Sequence, residues 1–504
     1  LVPPDRNGNK IVIYAAIPYA YLTPFEVLLY NGLVAEGWDV KYCVYNEEVN
    51  IHELTTSRYS FAQRRSLIEY NWALGKRFLE AANVDFSVIP CLPDEYAELV
   101  QQELTLDSIF DFKLEGFNLG SIVKRVMFRH YKSIDIRDHA DSLDIAREYL
   151  KTVLMNYLNS KNVIEDFEPD IVMFSHGIYC SWEIVAQVCQ NLNVDYVCYD
   201  RGKVRSSMTF NWNQPAPDWS FENAWVHYKD TPLDKAEEEL VDAYFSEREL
   251  QLTDVYAYNA KKRYDDVDSL KASLGIAPNQ KVVTFFTNLI WDAANVGREE
   301  IFESFFEAIG YTLERLADKE GIKFLVRPHP AERVLGTNQK YSDLVESLND
   351  RLSVIDERME VNSFSVLEIT DVAITHTSTI GLEMAMLGKP SIILGATHYK
   401  GKGFTIDPPS APEYIESIKN ALTSEGPCAK TQKEAKKYFY MMMFLYQKIT
   451  PVSHIGESFN SYGYSSFESL MQHDSTFLDI MEELKSPLRS VSYTHLTLPT
   501  NREV

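Results

Sequence analysis

Apolar runs that alternate with helical patterns predict a parallel sheet in the first half of the chain. Residues 10–16 (KIVIYAA) are continuously apolar, which is typical of a buried strand. Thr23, Pro24 and Glu26 predict a helix start, with Thr23 as N-cap, Pro24 at the first position and Glu26 closing a capping box. Strands alternating with helices indicate a doubly wound α/β domain. Further strands are predicted at 39–45, 86–90, 171–175 and 196–199.

The same alternation restarts in the second half, so we expect two Rossmann-like domains facing a central cleft. Its predicted strands are 282–286, 323–326, 352–355, 372–375 and 391–394, and a long helix is predicted at 298–318. The predicted boundaries are an N-terminal domain at 1–240 with an irregular insertion near 94–138, a helical connector at 241–275, a C-terminal domain at 276–430, and terminal helices at 431–489.

The last fifteen letters, 490–504 (SVSYTHLTLPTNREV), resemble a translated sequencing-adapter tail. We therefore expect this segment to be non-native.

The composition of the chain limits which partners we expect it to bind and in which cellular compartment we expect it to reside. The 49 Lys and Arg against 73 Asp and Glu leave a formal net charge of −24, which repels phosphate backbones and argues against nucleic-acid binding. Six cysteines without a Cys-x-x-Cys pair argue against a disulfide framework or a structural zinc site, so we expect a reducing, cytoplasmic environment. No apolar run reaches the ~18 residues needed to cross a bilayer.

Polar side chains follow three predicted strands of the second half, at the carboxyl ends where open α/β sheets bind ligands. Hydroxyls, a guanidinium, an imidazole and a helix N-terminus together suit a phosphate, and Glu383 is placed to accept both hydroxyls of a ribose. Each of these groups also has a purely structural interpretation. Arg-Pro-His-Pro could form a rigid turn, the Ser and Thr residues could cap a helix, and the helix dipole could favour the charge of Glu383. The candidates are Thr287 and Asn288, Arg327 and His329, Thr377, Ser378 and Thr379, and Glu383.

These motifs resemble a known family. Residues 324–330 (FLVRPHP) and 371–390 (DVAITHTSTIGLEMAMLGKP) are similar to the C-terminal half of GT-B glycosyltransferases, above all the bacterial capsule polysaccharide biosynthesis group that includes the Kdo-transferring enzymes. The similarity covers most of 160–425. In such relatives the His-Pro histidine and the Ser/Thr element hold the donor phosphate, which implies this role for His329, Ser378 and Thr379.

The resemblance also has implications for whether the site holds a metal ion or a cofactor. GT-B enzymes generally stabilise the leaving phosphate with protein groups, which implies Arg327 and Lys402 here, with no metal and no cofactor. The formal Asp-x-Asp at Asp266 and Asp268 is expected to be a solvated helix face.

A catalytic base is expected from the first half, and two candidates stay open. Residues 200–206 (DRGKVRS) resemble the Glu-Asp-Gly-Phe-Leu-Arg-Ser segment of the Kdo-transferring relatives, whose Asp is the base. A strict alignment places Arg201 at the position of that Asp, and Asp200 at the position of the Glu that precedes it. The candidates are therefore Asp200 and His176, the latter at the preceding strand end. Their structural alternatives are an ion pair with Arg201 or Arg205 for Asp200, and a turn residue for His176.

The resemblance implies transfer of a sugar from a nucleotide-sugar donor, with a CMP-sugar as the first candidate, to a surface or capsular glycan or glycolipid. It implies a cytoplasmic protein, peripheral at the inner face of the membrane in a glycan-assembly complex. Two alternatives stay open: a sugar-nucleotide epimerase of the UDP-N-acetylglucosamine 2-epimerase type, and a non-catalytic scaffold of the same fold.

Overall fold

The structure is a computed structural model. It describes residues 8–18, 22–46, 49–204, 207–218, 221–249, 266–316, 318–345, 352–355, 359, 361–424, 426–449, 452–455, 458–462 and 467–485. The expected non-native tail at 490–504, Arg205 and much of the predicted connector lie outside the described residues.

Strands and helices are numbered in chain order. The strands are β1 (Lys10–Ala16), β2 (Asp39–Val44), β3 (Phe86–Val88), β4 (Ile171–Ser175), β5 (Asp195–Arg201), β6 (Ser207–Trp212), β7 (Lys281–Phe286), β8 (Ile322–Arg327), β9 (Leu352–Val354), β10 (Val372–Thr375), β11 (Ser391–Ile393), β12 (Lys448–Ile449), β13 (Val452–Ile455) and β14 (Ser458–Tyr462). The helices are α1 (Thr23–Ala35), α2 (Phe61–Ala81), α3 (Asp94–Gln101), α4 (Leu106–Phe110), α5 (Leu119–Tyr131), α6 (Ser142–Phe167), α7 (Tyr179–Leu192), α8 (Glu222–Tyr228), α9 (Lys235–Glu249), α10 (Val267–Ser273), α11 (Phe305–Leu316), α12 (Ala331–Leu335), α13 (Tyr341–Val345), α14 (Ser363–Ile369), α15 (Ile380–Met386), α16 (Ala411–Leu422), α17 (Ala429–Tyr440), α18 (Phe467–His473) and α19 (Ser475–Lys485).

The chain forms two compact α/β units, as the alternating pattern predicts. The first comprises residues 1–131, 136–219 and 445–504, and the second comprises 132–135 and 220–444. This division differs from the expected boundaries. The first unit ends near residue 219 rather than 240, and it also includes the residues from 445 onward, which were expected to form terminal helices.

The first unit is built on a seven-stranded sheet in the order β12-β6-β5-β4-β1-β2-β3. Strands β1 to β5 are parallel, and β6 and β12 extend the β5 edge in antiparallel fashion. The chain runs from β1 outward to β3 and then returns to β4 on the other side of β1. The order therefore reverses between β1 and β4, which is the point where α/β sheets place ligands.

The returning chain completes the first unit's core. Strand β12 pairs with β6, and buried side chains of α18 and α19 join the cluster that includes α1 and the central strands. A Cβ added to Gly32 of α1 would lie 2.9 Å from Sδ of Met481, so glycine permits this close approach of α19.

The start of α1 differs from the predicted capping box. Leu22 is the N-cap residue and makes no side-chain cap hydrogen bond, and Thr23 already lies in the helix. Glu26 is buried instead, where its carboxyl accepts hydrogen bonds from the hydroxyls of Tyr42 and Tyr199. Tertiary partners on β2 and β5 have therefore overridden the local capping pattern.

The second unit has a five-stranded parallel sheet in the order β11-β10-β7-β8-β9. The chain runs from β7 to β9 on one side and then crosses to β10 and β11, so the order reverses between β7 and β10. Buried residues of β7, β8, β10, α11 and α16 form its core.

Two local predictions differ from the structure. The helix predicted at 298–318 spans only Phe305–Leu316, because residues 299–304 run as an irregular segment, where Glu299 forms an isolated bridge with Gly395. The stretch 94–138, predicted to be irregular, contains α3, α4 and α5, whose buried faces lie in the first unit.

Candidate functional site

Three loops of the second unit meet at the β7–β10 switch point, as the strand ends predict. Nδ2 of Asn288, after β7, donates to Oγ1 of Thr377, after β10, over 2.9 Å. Oγ1 of Thr377 in turn donates to Oδ1 of Asn295 over 2.7 Å. On the other side of β7, Oγ1 of Thr287 accepts from the backbone N–H of His329 over 3.2 Å. We call these five residues the Asn288 cluster.

The imidazole of His329 is set up as a neutral donor. Burial, and then the Arg327 charge, lower the pKa of His329 to about 4, so the ring is neutral at physiological pH. Its Nδ1 accepts a hydrogen bond from the backbone N–H of Ala331 over 3.1 Å. A neutral ring that accepts at Nδ1 carries its proton on Nε2. The loop therefore fixes the tautomer with an N–H donor at the far ring nitrogen.

The guanidinium of Arg327 has structural partners, in contrast to its predicted bidentate contact with phosphate. It donates to the backbone oxygens of Ile355 and Val361, over 3.2 and 2.7 Å, and to Oγ of Ser363 over 3.3 Å. Arg327 is 6% exposed. Its donors tie β8 to the chain around β9 and α14, while its positive charge still acts on His329 through space.

The predicted ligands around α15 divide into partly exposed and buried groups. Thr379 is the N-cap residue of this seven-residue helix without a side-chain cap bond, and Oγ of Ser378 accepts from the N–H of Ile380 over 3.4 Å. Glu383 is 2% exposed, so a ribose cannot reach its carboxyl without movement of the chain.

Lys402 lies outside the Asn288 cluster. Its ammonium pairs with the carboxylate of Glu222 on α8, and the Lys402 side chain is 7% exposed. The predicted phosphate contact through Lys402 would therefore require this ion pair to open.

The two base candidates of the first unit form one pair. His176 follows β4 and Asp200 lies near the end of β5, and Nε2 of the imidazole is 3.2 Å from Oδ1 of the carboxylate. The same oxygen accepts from the backbone N–H of Arg201 over 2.6 Å. The hydroxyl of Ser175 contacts Nδ1, and the ring of Trp182 stacks on the imidazole at a centroid distance of 5.3 Å. The two sequence candidates are therefore partners rather than competitors.

The environment of His176 favours its protonated form. Burial lowers its pKa, but the charge and hydrogen bond of Asp200, followed by the charge of Glu53, outweigh burial and raise it. The partly exposed imidazole therefore has a raised affinity for a proton beside a partly exposed carboxylate, which is an arrangement suited to accepting one.

The backbone at the first switch point is unusual. Ala16 at the end of β1 and His176 after β4 adopt φ values of +56° and +51°. Gly177, at φ +69°, has no room for a side chain, since a Cβ there would lie 2.6 Å from Sγ of Cys198. Non-glycine residues in the left-handed region cluster at functional sites, where the surrounding structure holds them in place.

Sequence reasoning missed Asn295 and Glu53. Asn295 is seven positions after Asn288, and the signal for it was the length of the polar loop after β7. Glu53 is a buried acid near His176 in the segment between β2 and α2, where the pattern of residues gives no element. Because no strand or helix is predicted there, the sequence does not show that the carboxyl of Glu53 is buried.

The sequence leads us to expect neither a metal site nor a membrane-spanning helix. Within the described ranges, no three His, Cys, Asp or Glu side chains gather as metal ligands would. Asp266, predicted on a solvated face, is the N-cap of α10, accepting from the N–H groups of Asp268 and Ser269 over 3.1 and 3.2 Å. No helix in the described part of the chain has the length and apolarity that crossing a membrane requires.

Comparison with known proteins places the resemblance in the second unit. Residues 221–424 match the family described as "Capsule polysaccharide biosynthesis protein". The match begins after the Asp200 segment, so it covers residues 221–424 of the expected 160–425. No curated protein matches the chain.

Two solved structures to which this chain shows some similarity are a transferase and an epimerase. Thermosulfurimonas dismutans KpsC, a beta Kdo 2,4 transferase, is 16% identical, with a TM-score of 0.37, over 56% of this chain and 82% of its own. UDP-GlcNAc 2-epimerase from Neisseria meningitidis, bound to UDP-GlcNAc, is 13% identical, with a TM-score of 0.28, over 86% of this chain and 98% of its own. Residues 221–424, which lie in the second of the two α/β units, are therefore similar to the capsule polysaccharide biosynthesis family.

Proposed function

We propose that the protein is a glycosyltransferase that moves a sugar from a nucleotide-sugar donor to a surface or capsular glycan. The observation that carries this proposal is the Asn288 cluster, in which three strand-end loops bring hydroxyls, amides and a neutral imidazole to one switch point. Neutral hydrogen-bond donors at that position suit the phosphate of a nucleotide, which needs donors rather than a full counter-charge.

In the proposed reaction the donor phosphate binds at the Asn288 cluster. Nε2–H of His329 donates to a phosphate oxygen, and the hydroxyls of Ser378 and Thr379 lie beside the cluster in sequence for further contacts. The buried Arg327 charge opposes the negative charge that develops on the leaving phosphate. We do not assign the phosphate contact to Lys402 or the ribose contact to Glu383, given the ion pair and the burial described above.

The His176–Asp200 pair takes the proton of the acceptor hydroxyl. The acceptor oxygen then attacks the anomeric carbon, the bond from that carbon to the phosphate oxygen breaks, and the nucleotide leaves with the electron pair. A single displacement of this kind inverts the configuration at the anomeric carbon. The proton resides on the pair, because His176 is stabilised in its charged form by Asp200.

We also propose a cytoplasmic protein that works at the inner face of the membrane with other glycan-assembly proteins. All six cysteines are free thiols, four of them buried, which fits a reducing compartment. The capsule-family match of residues 221–424 supports the assembly role.

A thermal-shift screen with CMP, UDP, GDP, CDP and their sugars tests the donor site. A ligand at a hundredfold excess over its dissociation constant stabilises the folded protein by ~2.7 kcal/mol. We expect one nucleotide series to raise the melting temperature, and a smaller rise in Asn288→Ala than in the His227→Ala control, which changes an exposed side chain of the same unit. A protein that responds to no nucleotide would exclude both a transferase and an epimerase.

The second candidate is a sugar-nucleotide epimerase. The first unit supports it, because an imidazole and two acids close together are also the groups needed to remove and return a proton at a sugar carbon. Incubating the responsive nucleotide sugar in D2O without an acceptor separates the two reactions. An epimerase would introduce deuterium into the sugar, whereas a transferase would leave its carbon-bound protons unchanged.

A further inference from the structure

Glu53 is a buried acid with one oxygen engaged and one without a partner. It is 2% exposed, and its Oε2 accepts from Oγ of Ser181 over 2.7 Å and from Sγ of Cys180 over 3.2 Å. Within the described part of the chain, its Oε1 is buried without a hydrogen-bond partner. A half-satisfied buried carboxyl costs stability, so its presence calls for a role beyond packing.

The partners of Glu53 lie in the first turn of α7, which also shapes the His176 site. Cys180 and Ser181 are held by the carboxyl, and the next residue, Trp182, stacks on the His176 imidazole. This turn follows the left-handed positions of His176, Gly177 and Tyr179, so the helix start decides where the imidazole lies.

Further contacts anchor Glu53 to its surroundings. Nε of Arg129 on α5 donates to the backbone oxygen of Glu53 over 2.9 Å. The hydroxyl of Tyr45 donates to Oγ of Ser181 over 2.9 Å and accepts from Nδ2 of Asn156 on α6 over 2.6 Å. The acid is therefore fixed from α5, α6, α7 and the end of β2.

We propose that Glu53 is a positioning residue of the first unit: its carboxyl holds the first turn of α7 and places a negative charge beside the His176 imidazole. This inference rests on the proposed function, in which His176 and Asp200 handle the acceptor proton. Glu53 would act through the imidazole, by fixing the ring that stacks on Trp182 and by stabilising its charged form.

The charges around the two groups support this role. Burial raises the pKa of Glu53, while Ser181, Cys180 and the His176 charge lower it in part. The groups that act on His176 are Asp200 on β5, Glu53 and, in the opposite direction, Arg129 on α5. Around Glu53 the titratable groups are Cys180 on α7, Tyr45 after β2 and Tyr149 on α6, all of which have raised pKa values and stay neutral at pH 7. His176 and Glu53 thus act on each other: the Glu53 charge raises the pKa of His176, and the His176 charge lowers the pKa of Glu53.

The test is the variant Glu53→Gln, which keeps an oxygen for Ser181 and removes the charge. We expect the pKa of His176, followed by NMR of the imidazole protons, to fall by about half a unit or more, because a nearby negative charge is lost. The acidic limb of the pH profile of turnover should move to lower pH by the same amount. The matched control is Glu183→Gln, which removes a half-buried carboxylate of α7 that pairs with Arg125, and should leave the pKa of His176 unchanged.

Ser181→Ala tests the positioning part separately, since it keeps the Glu53 carboxyl and removes one hydrogen bond to it. We expect turnover to fall several-fold with the pKa of His176 nearly unchanged. A folded Glu53→Gln protein with the wild-type pKa of His176 would overturn the proposal. The NMR titration needs no substrate, so it stands even if no nucleotide binds and the proposed function fails. If Glu53→Gln does not fold, a Ser181→Ala protein with wild-type turnover would overturn the proposal in its place.

Discussion

The two units carry opposite kinds of chemistry at equivalent places in their sheets. At the β1–β4 switch point the side chains are titratable and charged: His176, Asp200 and the buried Glu53. At the β7–β10 switch point they are hydroxyls, amides and an imidazole whose lowered pKa keeps it neutral. The first arrangement suits moving a proton, and the second suits holding an anion without exchanging protons with it. Similar folds therefore place unlike chemistry at the same topological position.

The largest expected effect comes from removing the charge at the first site. Asp200→Asn should lower turnover on the order of a hundredfold or more, because the imidazole loses its charged partner and the pair loses its capacity to take a proton. Nucleotide affinity, measured by thermal shift, should stay at the wild-type value because the Asn288 cluster is untouched. An Asp200→Asn protein that remains active, beside an inactive His176→Ala protein, would make His176 alone the base.

A second prediction concerns the pH dependence of stability, which should reside partly in the first unit. Burial raises the pKa of Glu26 from 4.5 to about 7, although the hydroxyls of Tyr199 and Tyr42 oppose the rise. Between these two pH values the folded protein keeps a proton that the unfolded chain has lost, so the free energy of unfolding falls as pH rises. The full loss is at most about 3.5 kcal/mol and should be absent in Glu26→Gln.

Urea unfolding at several pH values between 5 and 7.5 measures this effect. His52 and His130 act in the opposite direction, since burial lowers their pKa values to about 3 and about 4. The difference between wild type and Glu26→Gln is therefore the quantity to compare. Glu115→Gln, at an exposed acid whose pKa is lowered by Lys161 and Tyr157, should keep the wild-type slope over this range. An identical slope in Glu26→Gln and wild type would contradict the prediction.

The smallest effect is expected at the second site. His329→Ala removes one neutral donor to the phosphate and should weaken nucleotide binding about tenfold, which corresponds to one hydrogen bond to a charged group. Isothermal titration calorimetry would measure the change, with His227→Ala as the control. Stability lowered by several kcal/mol with unchanged affinity would instead mean that His329 serves the fold.

The parts of both sites that could be predicted are those fixed by strand order. Thr287, Asn288, His329 and Thr377 follow strands that the apolar runs reveal, and parallel strands bring their carboxyl ends to one edge. The pairing of His176 with Asp200 follows from the same rule for β4 and β5, although only the structure shows that the two side chains touch.

What could not be predicted depends on partners distant in sequence. The carbonyls that occupy Arg327 come from Ile355 and Val361, and the hydroxyls that draw Glu26 into the core come from Tyr42 and Tyr199. A local pattern such as a capping box is a weak preference of about 1 kcal/mol, which burial of a large polar group with its partners overrides.

The return of the chain to the first unit has a consequence for synthesis. The second unit is nearly continuous from 220 to 444, so it can fold once that stretch has left the ribosome. The first unit must wait for β12, α18 and α19, more than two hundred residues after β6, before its sheet edge is paired and α1 is covered. Until then we expect the β6 edge to be open to pairing with other chains, which makes the nascent chain prone to aggregation until these elements have been synthesised.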